Sequence, residues 1–303
     1  MKLTYFDGTN FGDALNPLIF NRYIPNLLDA DSSIQFVGIG SLIGLPLLNT
    51  PGKKIFFSTG YGKYGIPQQL TAADKVICVR GPLTAKVLGI DDRYAVTDGA
   101  ALLRDFKFPI KPKIHSFSLM PHWESEYRVA WKSLCAETGI HYISPTGDVE
   151  GIIGEVLQTE VLIAEAMHGA IVADTLRTPW IPIKAYHNIK EFKWLDWTLS
   201  MNLPFQPTYL PPLFESAKEA SYSIEDFSLR DSEALSNKLI NRAAGLAIAA
   251  YHRHFRKRKV ISKLNEIKGI APFLSKEETL DAKVELLKEH IASFIGEYGK
   301  HGK

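Results

Sequence analysis

The feature that most constrains this chain is an alternation over its first two hundred residues. Short apolar runs, most of them closed by glycine, take turns with stretches of helical character. Lys2–Phe6 runs into the loop Asp7–Gly12, Ile34–Ile39 into Gly40, Ile55–Ser58 into Gly60, and Lys75–Val79 into Arg80-Gly81-Pro82. Continuous apolar runs of this length mark parallel strands buried on both faces, and the loops at their carboxyl ends open on the crevice where such sheets bind ligands. A helix is expected after the first loop, with Asn16 as its cap and Pro17 in its first turn, where a missing N–H costs nothing. LTAKVLG reads as a second helix closed by Gly89, and Arg93–Val96 leads into Thr97-Asp98-Gly99.

The segment Phe106–Lys113 carries two prolines and three lysines without periodicity and reads as a linker. Beyond it the alternation restarts: strand Ile114–Leu119, helix Trp131–Thr138, strand His141–Ile143, helix Val149–Leu157, strand Val161–Ala164, helix Gly169–Leu176, and a short strand framed by Pro179 and Pro182. The expected fold class is therefore α/β, with two Rossmann-like domains, 1–110 and 111–215, facing a cleft. From about residue 216 the strand pattern vanishes. Residues 231–259 and 276–297 are helix-rich, so 216–303 is expected to form a helical extension.

Composition narrows the class further. With 46% hydrophobic and 22% charged residues the chain is neither disordered nor low-complexity, and no run of about 18 apolar residues could span a bilayer. The opening MKLTYFDGTNFGD breaks into polar residues too early for a signal peptide, and Cys78 and Cys135 give neither a disulfide framework nor metal spacing. A soluble cytoplasmic protein is expected. The net charge of +2 conceals a split: residues 252–303 hold 12 Lys+Arg against 7 Asp+Glu, leaving a slightly acidic body. A basic end such as HRHFRKRK, after the apolar Ala243–Tyr251, suits either an anionic membrane surface or a solvated helix end.

Candidate chemistry sits at the strand ends. In Asn10-Phe11-Gly12-Asp13 a glycine permits close approach to a substrate, and Asp13 is either a cleft carboxylate or a helix cap. Arg80 ends the fourth strand, where its guanidinium suits a phosphate or carboxylate, a surface salt bridge being the alternative. In LIAEAMHGAIVAD, Glu165 and His168 fall at a strand-to-helix switch, and the helix N-terminus at Gly169–Ala170 is a ready anion site. Histidine is the side chain best able to exchange protons near neutral pH. His122 and Glu124 take the comparable place after Leu119, while Lys193, Trp194 and Asp196 follow the last strand. Dinucleotide, P-loop, zinc-protease and serine-hydrolase motifs are all missing from the sequence, and no metal is expected.

Together NFGDALNP, GIGSL, STGYG, VRGPLTAKVLG, the Asp98 loop, PHWES, ISPTGDVEGII, EAMHGAIVADTLRTPWIPI and FKWLDW resemble the polysaccharide pyruvyl transferase family, especially the branch that ketalates exopolysaccharides such as succinoglycan. The resemblance covers roughly residues 3–205, in order. It implies a GT-B-like arrangement, no cofactor, and phosphoenolpyruvate as donor of a cyclic ketal to two hydroxyls of a saccharide, lipid-linked in many family members. On this resemblance His168 is the acid that protonates the enol, and Asp13, then Glu165, are the carboxylates that remove hydroxyl protons. Arg80 with Asn10, Gly12, His122, Met167, Gly169, Ala170, Lys193 and Trp194 would bind substrate. The family's arginine two places before the cleft histidine is here Ala166, and Lys193 is the candidate replacement. Two other readings compete: a GT-B glycosyltransferase using a nucleotide sugar, and a non-enzymatic carbohydrate-binding protein. The expected partners are phosphoenolpyruvate, a saccharide and an anionic inner membrane face, with no nucleic acid.

Overall fold

The computed structural model describes residues 1–62, 69–126, 129–185, 189–211 and 255–299. Two all-parallel sheets organise the chain. The first has the order β1-β2-β3-β4, with β1 Lys2–Thr4, β2 Ile34–Val37, β3 Lys53–Thr59 and β4 Lys75–Val79. The second contains β5 His115–Met120, β6 His141–Tyr142, β7 Thr159–Ala164, β8 Trp180–Lys184 and β9 Thr208–Tyr209. Its order is β6-β5-β7-β8-β9, so the chain leaves β5 toward one edge and returns on its other side. The central strands are buried on both faces, which is why they read as unbroken apolar runs.

Helices α1 Phe11–Tyr23, α2 Pro82–Leu88, α3 Trp123–Glu126, α4 Trp131–Thr138, α5 Val149–Leu157, α6 Met167–Thr175 and α7 Glu191–Ser200 connect the strands. The helix α1 begins six residues earlier than its proline suggests, with Asn10 at the N-cap and Pro17 inside it. A proline there deprives the Asp13 carbonyl of its helical donor. Asn16 Nδ2 supplies the missing bond at 2.9 Å, while Asn16 Oδ1 accepts the Ile39 N–H at 2.7 Å and pins the helix to the end of β2. Asn16 is thus a buried staple and not a cap. Arg93–Val96 is a 3-10 turn, Asp92–Tyr94, followed by a single bridge from Ala95 to Val79. The FKWLDW motif lies on a helix, α7, and the edge strand β9 goes unannounced in the sequence because two residues leave no periodicity.

One hydrophobic core crosses both sheets. Phe20 of α1 packs on Phe36 and Phe57, and the same core continues through Ile152, Ala170 and Ile171 to Trp180, Trp194 and Trp197. Among the described carboxyl-terminal residues, the helix over 255–267 places Val260, Leu264 and Ile267 on the second sheet's cluster. The final helix, Glu277–Tyr298, returns to the first sheet, where Phe294 meets Phe36 and Arg104 pairs with Glu277 and Asp281. Most of the expected helix over 231–259, including Ala243–Tyr251 and the start of HRHFRKRK, lies outside the described residues. No helix among the described residues is long and apolar enough to cross a membrane.

Candidate active site

A cavity of about 240 Å³ opens at the carboxyl ends of both sheets. It draws Asn10, Gly12 and Asp13 from the start of α1, Ser41 from the loop after β2, His122, Trp123 and Glu124 from the turn after β5, Ala166, Met167 and His168 from the start of α6, and Lys193 from α7. Strands β5 and β7 are neighbours that flank the chain reversal of the second sheet, and this switch point is where open α/β sheets bind ligands. The size is just below the roughly 300–1,000 Å³ of pockets for drug-sized ligands, so a small substrate fits it. Two helix N-termini, those of α1 and α6, reach the cavity, and neither has a side-chain cap. Unsatisfied N–H groups and the helix dipole favour an anion at such ends.

The charges inside are few and strained by burial. Asp13 is buried, and that burial raises its carboxyl above the ordinary value against the opposing pull of His168, the Asn10 hydrogen bond and Lys193. Asn10 Nδ2 donates to Asp13 Oδ2 at 2.6 Å. Burial and then the Lys193 charge push His122 down to about 3, so its ring is neutral at pH 7. Burial, reinforced by Arg80 and opposed by Asp13 and Glu124, lowers Lys193 to about 8. The ring of His168 lies so close to α1 that a Cβ on Gly12 would stand 1.8 Å from its Nδ1, so only glycine permits this approach. Its Nε2 faces Oδ2 of Asp98 at 3.5 Å.

Of the sequence-derived site residues, His168, Asp13, Asn10, Gly12, His122, Met167 and Lys193 come together on this wall. Ala166, where a family arginine is replaced, shares the cavity with Lys193. The others stand elsewhere. Arg80 is fully buried: Nε meets Asp196 Oδ2 at 3.1 Å, Nη1 donates to Ser41 Oγ at 2.9 Å and Nη2 to the Tyr61 carbonyl at 3.2 Å. It supports the wall through Ser41 and does not line it, nor is it a surface salt bridge. Glu165 is also buried and accepts the backbone N–H groups of His122 at 2.9 Å and Ala185 at 3.0 Å together with the Ser125 hydroxyl, tying strand ends together. Trp194 packs among Trp180, Trp197 and Phe205, where burial of its apolar rings outweighs any surface role. Gly169 and Ala170 are buried below the wall, and a Cβ on Gly169 would press 2.7 Å from Met120 Sδ.

Sequence reasoning gave no role to Ser41, Trp123, Phe6 or Asp98. Ser41 and Asp98 do follow apolar runs, at GIGSL and VTDGA, and that position was the available signal. Among the described residues no group of three or more His, Cys, Asp or Glu is arranged to hold a metal ion.

The profile of the family described as polysaccharide pyruvyl transferase matches residues 7–187, a span that contains nearly the whole wall. The succinoglycan biosynthesis protein ExoV of Rhizobium meliloti (strain 1021) is 33% identical over 215 residues, which is 70% of this chain and 68% of that protein. No solved structure matches.

Proposed function

This chain belongs to the polysaccharide pyruvyl transferase family and is a pyruvyltransferase, and on that premise we propose that it moves a pyruvyl group from phosphoenolpyruvate onto two hydroxyls of a saccharide as a cyclic ketal. The observation that carries the reading is the convergence of His168, Asp13, His122 and Lys193 with two uncapped helix N-termini on one small cavity. Phosphoenolpyruvate is small and trianionic, and it needs both anion-binding donors and a proton source at carbon 3.

In the proposed reaction His168 protonates carbon 3, which makes carbon 2 electrophilic. A first hydroxyl oxygen adds to carbon 2 while Asp13 takes its proton; the raised affinity of this buried carboxyl for protons suits that task. The carbon–oxygen bond to phosphate then breaks, its electron pair leaving with the phosphate, and the second hydroxyl closes the ketal. The two hydroxyl protons are balanced by one on the new methyl group and one on inorganic phosphate. Lys193 and the start of α6 hold the donor's charge, in place of the arginine absent at position 166. Neutral His122 serves as a hydrogen-bonding group and not as a cation. Arg80 and Glu165 act behind the wall, holding Ser41 and the loop at His122.

Phe6, Leu42, Leu45 and Trp123 give the cavity an apolar part of its lining, and Phe6 is 47% exposed despite its size. Aromatic faces of this kind stack on sugar rings, so the acceptor saccharide is placed there. A GT-B-like pairing of domains 1–110 and 111–215, a lipid-linked acceptor at the inner membrane face and independence from cofactors complete the proposal. Mass spectrometry of exopolysaccharide from cells with and without the gene tests it. Loss of an increment equal to pyruvic acid less water is expected, and loss of a whole sugar residue instead would favour a nucleotide-sugar transferase.

A further inference from the structure

One polar contact behind the cavity is unused by this chemistry. Asp98 sits at the entrance of the 3-10 turn Gly99–Asp105 and is fully buried. Its Oδ1 has a local task, accepting the Ala100 N–H at 3.0 Å. Its Oδ2 has none. It faces His168 Nε2 at 3.5 Å, and each of these two buried atoms lacks a hydrogen-bond partner. Buried polar groups are seldom left unsatisfied, and the face-to-face pair contributes nothing to capping the turn, which Oδ1 does alone. Hydrogen bonds of catalytic groups are often long in the free enzyme and tighten once substrate binds.

The orientation of the ring adds a second observation. With Nε2 turned inward to Asp98, Nδ1 is left on the side of Gly12, a residue of the cavity wall. The nitrogen available to a substrate is then Nδ1, and its protonation state depends on what Nε2 does.

We propose that Asp98 is the positioning residue of His168: it accepts a hydrogen bond from Nε2–H, fixes the tautomer in which Nδ1 faces the substrate, and stabilises the imidazolium formed when Nδ1 is protonated. The proton on Nδ1 passes to carbon 3 of the enol, and the ring returns to neutrality with Nε2–H still held by Asp98. Asp98 itself remains a carboxylate throughout. The kinetic part of this inference rests on His168 being the acid of the proposed reaction, whereas the tautomer part does not.

Long-range nitrogen–proton NMR of the free full-length protein reads the tautomer directly. The chain has nine histidines, so the resonances of His168 are identified by their loss in His168→Gln. Neutral His168 is expected with its proton on Nε2. Asp98→Asn keeps the oxygen that caps the turn but offers an amide donor to Nε2, and it is expected to move the proton to Nδ1. With phosphoenolpyruvate and acceptor, the same variant is expected to lose about 10²–10⁴ in kcat with KM for phosphoenolpyruvate unchanged. A wild-type ring protonated on Nδ1, or a tautomer indifferent to Asp98→Asn, overturns the proposal. The wild-type spectrum decides alone if the variant does not fold. An inverted tautomer with unchanged kcat upholds the positioning role and overturns instead the reading of His168 as the acid.

Discussion

Two buried charge junctions join the first half of the molecule to the second, and they are built on opposite terms. At the first, Arg80 after β4 meets Asp196 of α7. Every partner there is occupied: Asp196 also accepts the Thr84 hydroxyl at 2.5 Å and the Thr84 N–H at 2.9 Å, while the guanidinium reaches Ser41 and Tyr61. A Cβ on Gly81 would stand 2.0 Å from the Asp196 carbonyl, so the backbone too is closed around this pair. At the second junction, Asp98 meets His168 with an oxygen and a nitrogen unsatisfied, and nearby Asp13 and Lys193 are held away from their ordinary proton affinities. Burial of the facing atoms thus accompanies opposite degrees of satisfaction at the two junctions. The saturated junction has nothing left to offer a ligand, and its role is to hold. The unsaturated one leaves an oxygen and a nitrogen facing each other directly behind the cavity wall, where an adjustable contact can serve chemistry.

The contrast is broken most severely at its centre. His168→Ala is expected to lower turnover by about 10²–10⁴ while leaving the thermal midpoint near wild type, measured as phosphate release and by calorimetry. Retention of a tenth of the activity would remove His168 from the role of acid. Arg80→Met is expected to do the reverse in kind. By stranding Asp196 it costs about 3–5 kcal/mol of stability, read by urea unfolding, and adding Asp196→Leu is expected to recover much of that loss. If Arg80→Met left stability intact but raised KM for phosphoenolpyruvate, the arginine would belong to the site after all.

Smaller effects sharpen the comparison. Lys193 loses its proton as pH rises through about 8, so KM for phosphoenolpyruvate is expected to climb above that pH in the wild type and to be high and flat in Lys193→Gln. The smallest concerns Asp13. Because its carboxyl binds a proton more tightly folded than unfolded, stability is greatest below the unfolded value of 3.8 and is lost as pH rises through the folded one. Asp13→Asn is therefore expected to be more stable than wild type near neutral pH, the gap closing on acidification. Calorimetry from pH 4 to 7 checks the sign, and a variant less stable throughout would refute it.

The strands and most of the helices were legible because burial on both faces writes a continuous apolar run. Trp131–Thr138 and Val149–Leu157 lie where their pattern puts them. The start of α1 was misread because Pro17 looks like a first-turn proline, and the Asn16 side chain that makes an interior proline tolerable reaches a strand twenty-three residues away. The site was legible as a set of strand ends. Sorting those ends was not, since Asn10, Asp13, His122 and His168 differ from Arg80, Glu165 and Trp194 only in which way each side chain turns and what it meets.

The sequence by itself determined the α/β class, the glycine-closed strand ends and the family, because each rests on local pattern and short motif. Only the tertiary structure decided the strand order that puts the reversal between β5 and β7, the pairing of Arg80 with Asp196, and the meeting of Asp98 with His168. Those residues lie 116 and 70 positions apart in the chain. Whether a charge is spent on a partner or kept for a substrate depends on contacts at that range, and local pattern does not encode them.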